Sequence, residues 1–286
     1  MLKTFLAVLM IVVAVTDVYA VQSTIIESGG YACMGDDKSK KQTEQQSMAD
    51  AKRNAVENVL TYVKSETKVK DFQLEEDIVK VYTNAFVKIL EVTESRWYKD
   101  ERSGDCLKIK IKAEVIPDDK AIKEAMTSKI SFDGPGMPLN VRLWTDKKEF
   151  KKGDKIKIYI QGNKPFYARV HYRDVKGEVT QLLPNPYRTE NYFNGGVVYE
   201  IPSGNDRFEL EVSPPFGEES ISLYASTSLL GDISLSRGGA VYQVLTNEND
   251  IGIKTRSIKL KEKSVDGQVQ AAEFFEDRTM IKTGRQ

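Results

Sequence analysis

The sequence predicts an α+β protein: a small α/β domain, built as a long helix on a short sheet, followed by a β-sandwich of immunoglobulin-like type. Three observations carry the prediction. Apolar residues recur at three- and four-residue spacing from Met48 to Val63, the period of one helix face. Leu107, Ile109, Ile111, Ala113 and Val115 alternate with Lys108, Lys110, Lys112 and Glu114, the period of a half-buried strand. After a segment rich in Gly and Pro, short β-favouring runs alternate with turn signals over roughly 120 residues, the spacing of a two-sheet sandwich.

The elements follow in chain order. Lys3 and the apolar run Phe5–Val15 precede Val18-Tyr19-Ala20, which sets small residues at the −3 and −1 positions of a signal-peptidase site. So short a run spans only about half of a ~30 Å hydrocarbon core, so residues 1–20 read as a cleaved signal peptide rather than an anchor. No other stretch is long and apolar enough to cross a membrane, and no transmembrane segment is expected in the mature chain. The α/β domain, 24–130, begins with a strand at Thr24–Ala32 that enters a Gly29-Gly30 bend. A polar stretch leads into the helix, whose Ala51 and Ala55 are small enough to lie close on a sheet. A second helix is expected over Glu75–Phe86, then paired strands at Val87–Tyr98 and Leu107–Ile116. The lysine stripe Lys108/Lys110/Lys112 reads as a solvated face and suits an edge strand. A short helix, Asp118–Ser128, with Asp118 or Asp119 as N-cap, closes the unit.

Residues 131–138 form the linker. The sandwich, 138–260, is expected to hold strands at Asn140–Thr145, Lys155–Gln161, Tyr167–Tyr172, Val179–Leu183, Val197–Ile201, Asp206–Val212, Ser220–Ser226, Ala240–Thr246 and Gly252–Leu260. The polar tail, 261–286, is expected to be disordered, with a transient helix around Val269, Ala272 and Phe275.

Composition narrows the function. The chain has 42 Lys+Arg against 42 Asp+Glu. The balance is local as well as global, which argues against nucleic acid or any other charge-driven polyanion partner. One His and two Cys leave almost nothing for a His/Cys zinc site, and neither a metal nor a cofactor is expected. In an exported protein, Cys33 and Cys106 read as a disulfide. The competing reading, a catalytic thiol paired with His171, lacks a nucleophile motif around Cys33 and draws on two different domains. No G-x-S-x-G, H-E-x-x-H, P-loop or G-x-G-x-x-G occurs. Asn247-Glu248-Asn249-Asp250 offers oxygen ligands for a weak Ca²⁺ but lacks EF-hand spacing. Ser236-Arg237-Gly238-Gly239 reads as a surface turn in preference to an anion nest.

The segment Pro184–Phe193 concentrates the residue types of binding hot spots: Tyr187, Arg188, Asn191, Tyr192 and Phe193 in one loop. The alternative is that its aromatic residues fold inward and cap an open end of the sandwich.

Two resemblances extend this reading. Phe150-Lys151-Lys152-Gly153-Asp154-Lys155, Phe166–Asp174, Gln181-Leu182-Leu183-Pro184-Asn185-Pro186, Gly195-Gly196, Ile201-Pro202 and Pro215-Phe216-Gly217-Glu218 together resemble the bacterial family called domain of unknown function 4384, over most of 138–246. That resemblance implies a module appended to exported or envelope proteins, with no established active site. Glu27–Ala32, the helix Ala49–Val56 with Tyr62-Val63, and the strand Ile109–Val115 resemble the N-terminal domain of flagellar assembly protein T and related exported lipoproteins, which implies an assembly role. The function expected is therefore a non-enzymatic, exported binding or scaffolding protein of the bacterial cell envelope, periplasmic after cleavage near Ala20, with another envelope protein as partner. The alternative is an envelope hydrolase whose carboxylate or serine site has no sequence marker.

Overall fold

A computed structural model describes residues 21–66, 79–122, 134–239, 241–256 and 271–285. The chain is mostly antiparallel β-sheet. The strands are β1 (Val21–Cys33), β2 (Phe86–Asp100), β3 (Gly104–Ile116), β4 (Val141–Thr145), β5 (Glu149–Lys151), β6 (Ile158–Gly162), β7 (Phe166–Arg173), β8 (Val179–Leu183), β9 (Tyr192–Phe193), β10 (Tyr199–Ile201), β11 (Glu218–Ser226), β12 (Leu235–Gly238), β13 (Val241–Val244) and β14 (Ala271–Gly284). Helices α1 (Lys40–Glu66) and α2 (Glu248–Thr255) join them. Eleven strands form one sheet in the order β12-β13-β8-β7-β11-β14-β1-β3-β2, with β5 parallel to the end of β14 and β9 on β7. β10, β6 and β4 form a second, smaller sheet.

Helix α1 starts at a capping box. Ser39 Oγ accepts from the Gln42 amide while Gln42 Oε1 accepts from the Ser39 amide, which satisfies two otherwise orphaned donors. This begins the helix well before the apolar face does. Its buried residues, Thr43, Ser47, Ala51, Ala55, Val59 and Val63, recur every fourth position. The last four pack with Leu107, Ile109, Ile111, Ala113 and Val115 of β3, the alternating residues recognised in the sequence. Gly30 permits the approach: a Cβ there would lie 2.3 Å from both the Ala51 nitrogen and the Ser47 oxygen. Beyond its pairing with β14, β1 has a free edge, and α1 occupies it. Asn54 Nδ2 donates to the Gly29 carbonyl, and Asp50 Oδ2 accepts from the Tyr31 amide.

The lysine stripe does not lie on an edge. β3 is interior, between β1 and β2, and β2 is the outer strand, carrying two register shifts. Lys110 Nζ is 3.1 Å from Glu94 Oε2, and Lys112 lies opposite both Glu27 and Glu91. Cross-strand carboxylates thus compensate the stripe. Of the expected second helix, residues 79–83 are helical and 75–78 lie outside the described residues; Phe86 already belongs to β2. Asp118 is the N-cap of the next helical turn, its Oδ1 accepting from the Lys120 and Ala121 amides, and residues 123–128 lie outside the description.

Three expectations for the C-terminal half are corrected. The tail is not disordered after Ala271; it forms β14, which pairs with β1 on one side and β11 on the other. The physical reason is that its polar residues find distant partners: Glu273 meets Lys164, and Thr283 meets Glu219. Gly252–Thr255 is helix α2, not strand, because Asn247 Oδ1 caps it by accepting from the Asn249 amide. Residues 257–270 lie outside the description. Asp206–Val212 is an irregular segment tied to the chain by the Lys155/Glu211 bridge and by the Ile156 amide donating to the Leu210 carbonyl.

The two faces of the large sheet are covered differently. On one face α1 and the three-stranded sheet sit side by side. Ile158, Ile160 and Ile201 of the small sheet share a core with Ala168, Val170, Ile221, Leu223 and Phe275 of the large one. On the other face Ile251 of α2 packs on Ile25, Tyr224, Ala272 and Phe274.

Candidate functional site

The structure divides the five residues singled out in the Pro184–Phe193 loop. Asn185 is buried and organises a tight turn, its Oδ1 accepting from the amides of Tyr187 and Arg188 at 2.8 and 2.9 Å. Arg188 is committed internally: Nη1 donates to Asp206 Oδ2 at 3.0 Å, and the guanidinium lies 5.6 Å from the Phe193 ring centroid. Phe193 is 1% exposed and stacks on Phe166, so it belongs to the core. The Asn191 carbonyl accepts from the Ala168 amide, which fixes the return of the chain. Tyr187 and Tyr192 remain, 49% and 52% exposed. Each rests on a second ring: Tyr187 stacks on Phe208 at 6.5 Å, and Tyr192 tilts against Tyr167 at 5.0 Å. Phe193 closes the sandwich core, and two tyrosines are presented outward on a braced backing.

The bracing reaches further. Arg188–Asp206 and Tyr187–Phe208 pin the start of the irregular segment, whose continuation, Glu209–Ser213, roofs a cavity of about 220 Å³.

The other sequence candidates are dispersed. Cys33 and Cys106 are directly opposed on β1 and β3 and form a disulfide. With its sulfur bonded, Cys33 has no thiolate to pair with His171. His171 is neither exposed nor joined to a nucleophile. It is buried, edge-on to Tyr224, with Nε2 3.4 Å from Gln181 Oε1. Burial, reinforced by the nearby Arg169 charge, pushes its pKa down to about 3. Asn247-Glu248-Asn249-Asp250 is the cap and first turn of α2, and no cluster of metal-binding side chains occurs among the described residues. Ser236–Gly238 lies in β12, and Gly239, at φ +63°, turns the chain toward β13.

Sequence reasoning missed the buried charges. Glu273 of β14 accepts from Lys164 Nζ at 2.9 Å and from the Leu139 amide. Its charge also helps hold the Tyr62 phenol above its ordinary pKa, after burial itself. One carboxylate thus meets α1, the segment before β4, and the β6–β7 turn. On the opposite face Arg256 pairs with Glu114 at 2.7 Å and Glu276 at 2.9 Å, over the Phe274 ring. No local pattern announces such pairs, because each partner comes from a different element.

Part of the chain is similar to a known family. Residues 149–228 match a family model described as Domain of unknown function (DUF4384). The match runs from β5 to just beyond β11. It holds the Tyr187/Tyr192 loop and the cavity roof, and leaves out β12, β13 and β14. No curated protein and no solved structure matches the chain.

Proposed function

We propose that the protein is an exported, non-catalytic binding or scaffolding component of the bacterial cell envelope, and that it engages a partner protein through Tyr187 and Tyr192. The observation that carries the reading is the division within one loop. Arg188 and Phe193 are consumed by the fold, while two large aromatic side chains are left half exposed on rigid backing. Aromatic rings held this way give contact area at little entropic cost, the usual make-up of an interface anchor. The leader sequence and the Cys33–Cys106 disulfide support an oxidising destination outside the cytoplasm. The immunoglobulin-like reading of the sandwich and the likeness of the first domain to flagellar assembly protein T belong to the same proposal, since both are at home in envelope assemblies.

The test is site-specific photocrosslinking in cells, with a benzophenone amino acid at Tyr187, at Tyr192 and, as control, at the exposed Met280 of β14. One shared partner from both loop positions and none from Met280 is the expected outcome. Adducts equal at all three positions, or absent from both tyrosines, would refute the reading.

A further inference from the structure

The cavity beneath Glu209–Ser213 has a composition the fold alone does not explain. Its walls combine apolar side chains, chiefly Ile156, Ile158, Leu182, Leu210 and Ile221, with the polar Tyr172, Glu209, Glu211 and Ser213. Among these sits Glu219 of β11, 2% exposed. Oε1 of this carboxyl accepts from Thr283 Oγ1 at 3.0 Å, and the Tyr172 phenol lies within reach. Oε2 has no hydrogen-bond partner among the described residues. A buried carboxylate oxygen left unpaired in apolar surroundings is costly, and native proteins rarely retain one without a use.

The charged side chains that line it have one sign. Glu209 and Glu211 stand at the rim, and the residues lining the cavity include no Lys, Arg or His. Glu209 is engaged by Lys155 in solvent at 2.6 Å, but no basic side chain pairs with Glu219 among the described residues. Hard cations demand several converging oxygen ligands, and no such cluster of metal-binding side chains occurs among the described residues. The volume, about 220 Å³, equals that of roughly seven water molecules in the liquid. It is below the ~300 Å³ at which drug-sized pockets begin.

We propose that this cavity is a binding site for a small organic cation, a primary ammonium on a compact apolar body, with Glu219 as its counter-ion. The apolar body would occupy the space between Ile156, Ile158 and Leu210, and the ammonium would donate to Oε2. Burial raises the pKa of Glu219, with the Asp174 charge adding to it and the nearby Tyr172 and Thr283 hydroxyls opposing. A bound cation would reverse that trend by favouring the ionised form. The site does not depend on what covers Tyr187 and Tyr192, although the loop that carries them steadies its roof.

The experiment is calorimetric titration of the full mature chain with benzylammonium and n-butylammonium, against benzyl alcohol and benzoate, at neutral pH. The expected result is saturable binding of at least one ammonium, with the alcohol weaker by roughly tenfold or more, the worth of one charge-assisted hydrogen bond. Glu219→Gln should remove that preference while leaving the protein folded. Methyl NMR of the unmodified protein provides a second reading, in which the perturbed methyls should be those of Ile156, Ile158, Leu210 and Ile221. No saturable binding of either ammonium, equal binding of benzyl alcohol, undiminished ammonium binding by Glu219→Gln, or methyl shifts confined to other residues would each overturn the proposal.

Discussion

Replacing Glu273 by Ala should destabilise the protein far more than any surface charge deletion. Glu273 and Lys164 are almost fully buried, 2.9 Å apart, and the same carboxylate accepts from the Leu139 amide. Removing it strands a buried ammonium and a main-chain donor together. Breaking a buried pair from one side costs about 3–5 kcal/mol. With a urea dependence of about 1–3 kcal/mol per molar, the midpoint should fall by roughly 1–5 M at unchanged slope. The exposed pair Lys155–Glu209, at 2.6 Å, is the control, and Glu209→Ala should cost no more than about 1 kcal/mol. The double variant Lys164→Met/Glu273→Leu separates loss of the pair from loss of packing, because apolar replacement of a buried pair is often neutral. Urea unfolding followed by circular dichroism measures all three. If Glu273→Ala behaved like Glu209→Ala, or if the double variant were no more stable than Glu273→Ala alone, the reasoning would fail.

Three further outcomes are expected. Gly30→Ala should cost at least about 2 kcal/mol by driving a methyl into the α1 backbone, whereas Gly29→Ala, whose Cβ would sit 3.6 Å from the Ile109 oxygen, should cost under about 1 kcal/mol in the same unfolding assay. His171 binds its proton in the unfolded chain near its ordinary pKa but in the folded one only near 3, so its contribution to stability is present above pH 6.5 and is lost as the pH falls. The slope approaches about 1.4 kcal/mol per pH unit, and His171→Asn should flatten it in a melting series taken from neutral to acid pH. Opening the Cys33–Cys106 bridge, 73 residues apart in sequence, should cost about 4 kcal/mol in a comparison of oxidised and reduced protein, and the paired Ser variants should match the reduced form.

Local periodicity was readable wherever one face of an element met the core and the other met water. The first half of β3 is the clearest case, with Lys108 and Lys110 exposed opposite Leu107 and Ile109, and the buried side of α1 follows it. Lys112 and Glu114, further along β3, are instead buried, against the solvated face expected for them. The same rule explains β14. Ala272 and Phe274 face the α2 side, while Glu273 and Phe275 face α1 and the small sheet, so both faces are covered over Ala272–Phe275 and no alternation remains there. A strand whose interior includes Glu273, Thr279 and Thr283 looks like a polar tail until its distant partners are known. In α2 the opposite happened: Asn247 was visible, but a helix cap and a cation ligand draw on the same side-chain oxygen. For the Pro184–Phe193 loop, composition identified the right segment. It did not divide the labour, because whether Arg188 reaches outward or to Asp206 depends on an irregular stretch that alternation had marked as a strand.

β14 pairs with β1 across almost the whole length of the described chain. During synthesis from the N-terminus, β1 and β11 each wait with an unpaired edge until residues 271–284 emerge. Contacts of such long range make folding slow, and open strand edges are templates for pairing with other molecules. Both halves of the molecule are therefore completed by one late closing event. A chain stalled or clipped before Ala271 would expose two sticky edges at once, which makes the last strand a checkpoint on aggregation as much as a structural joint.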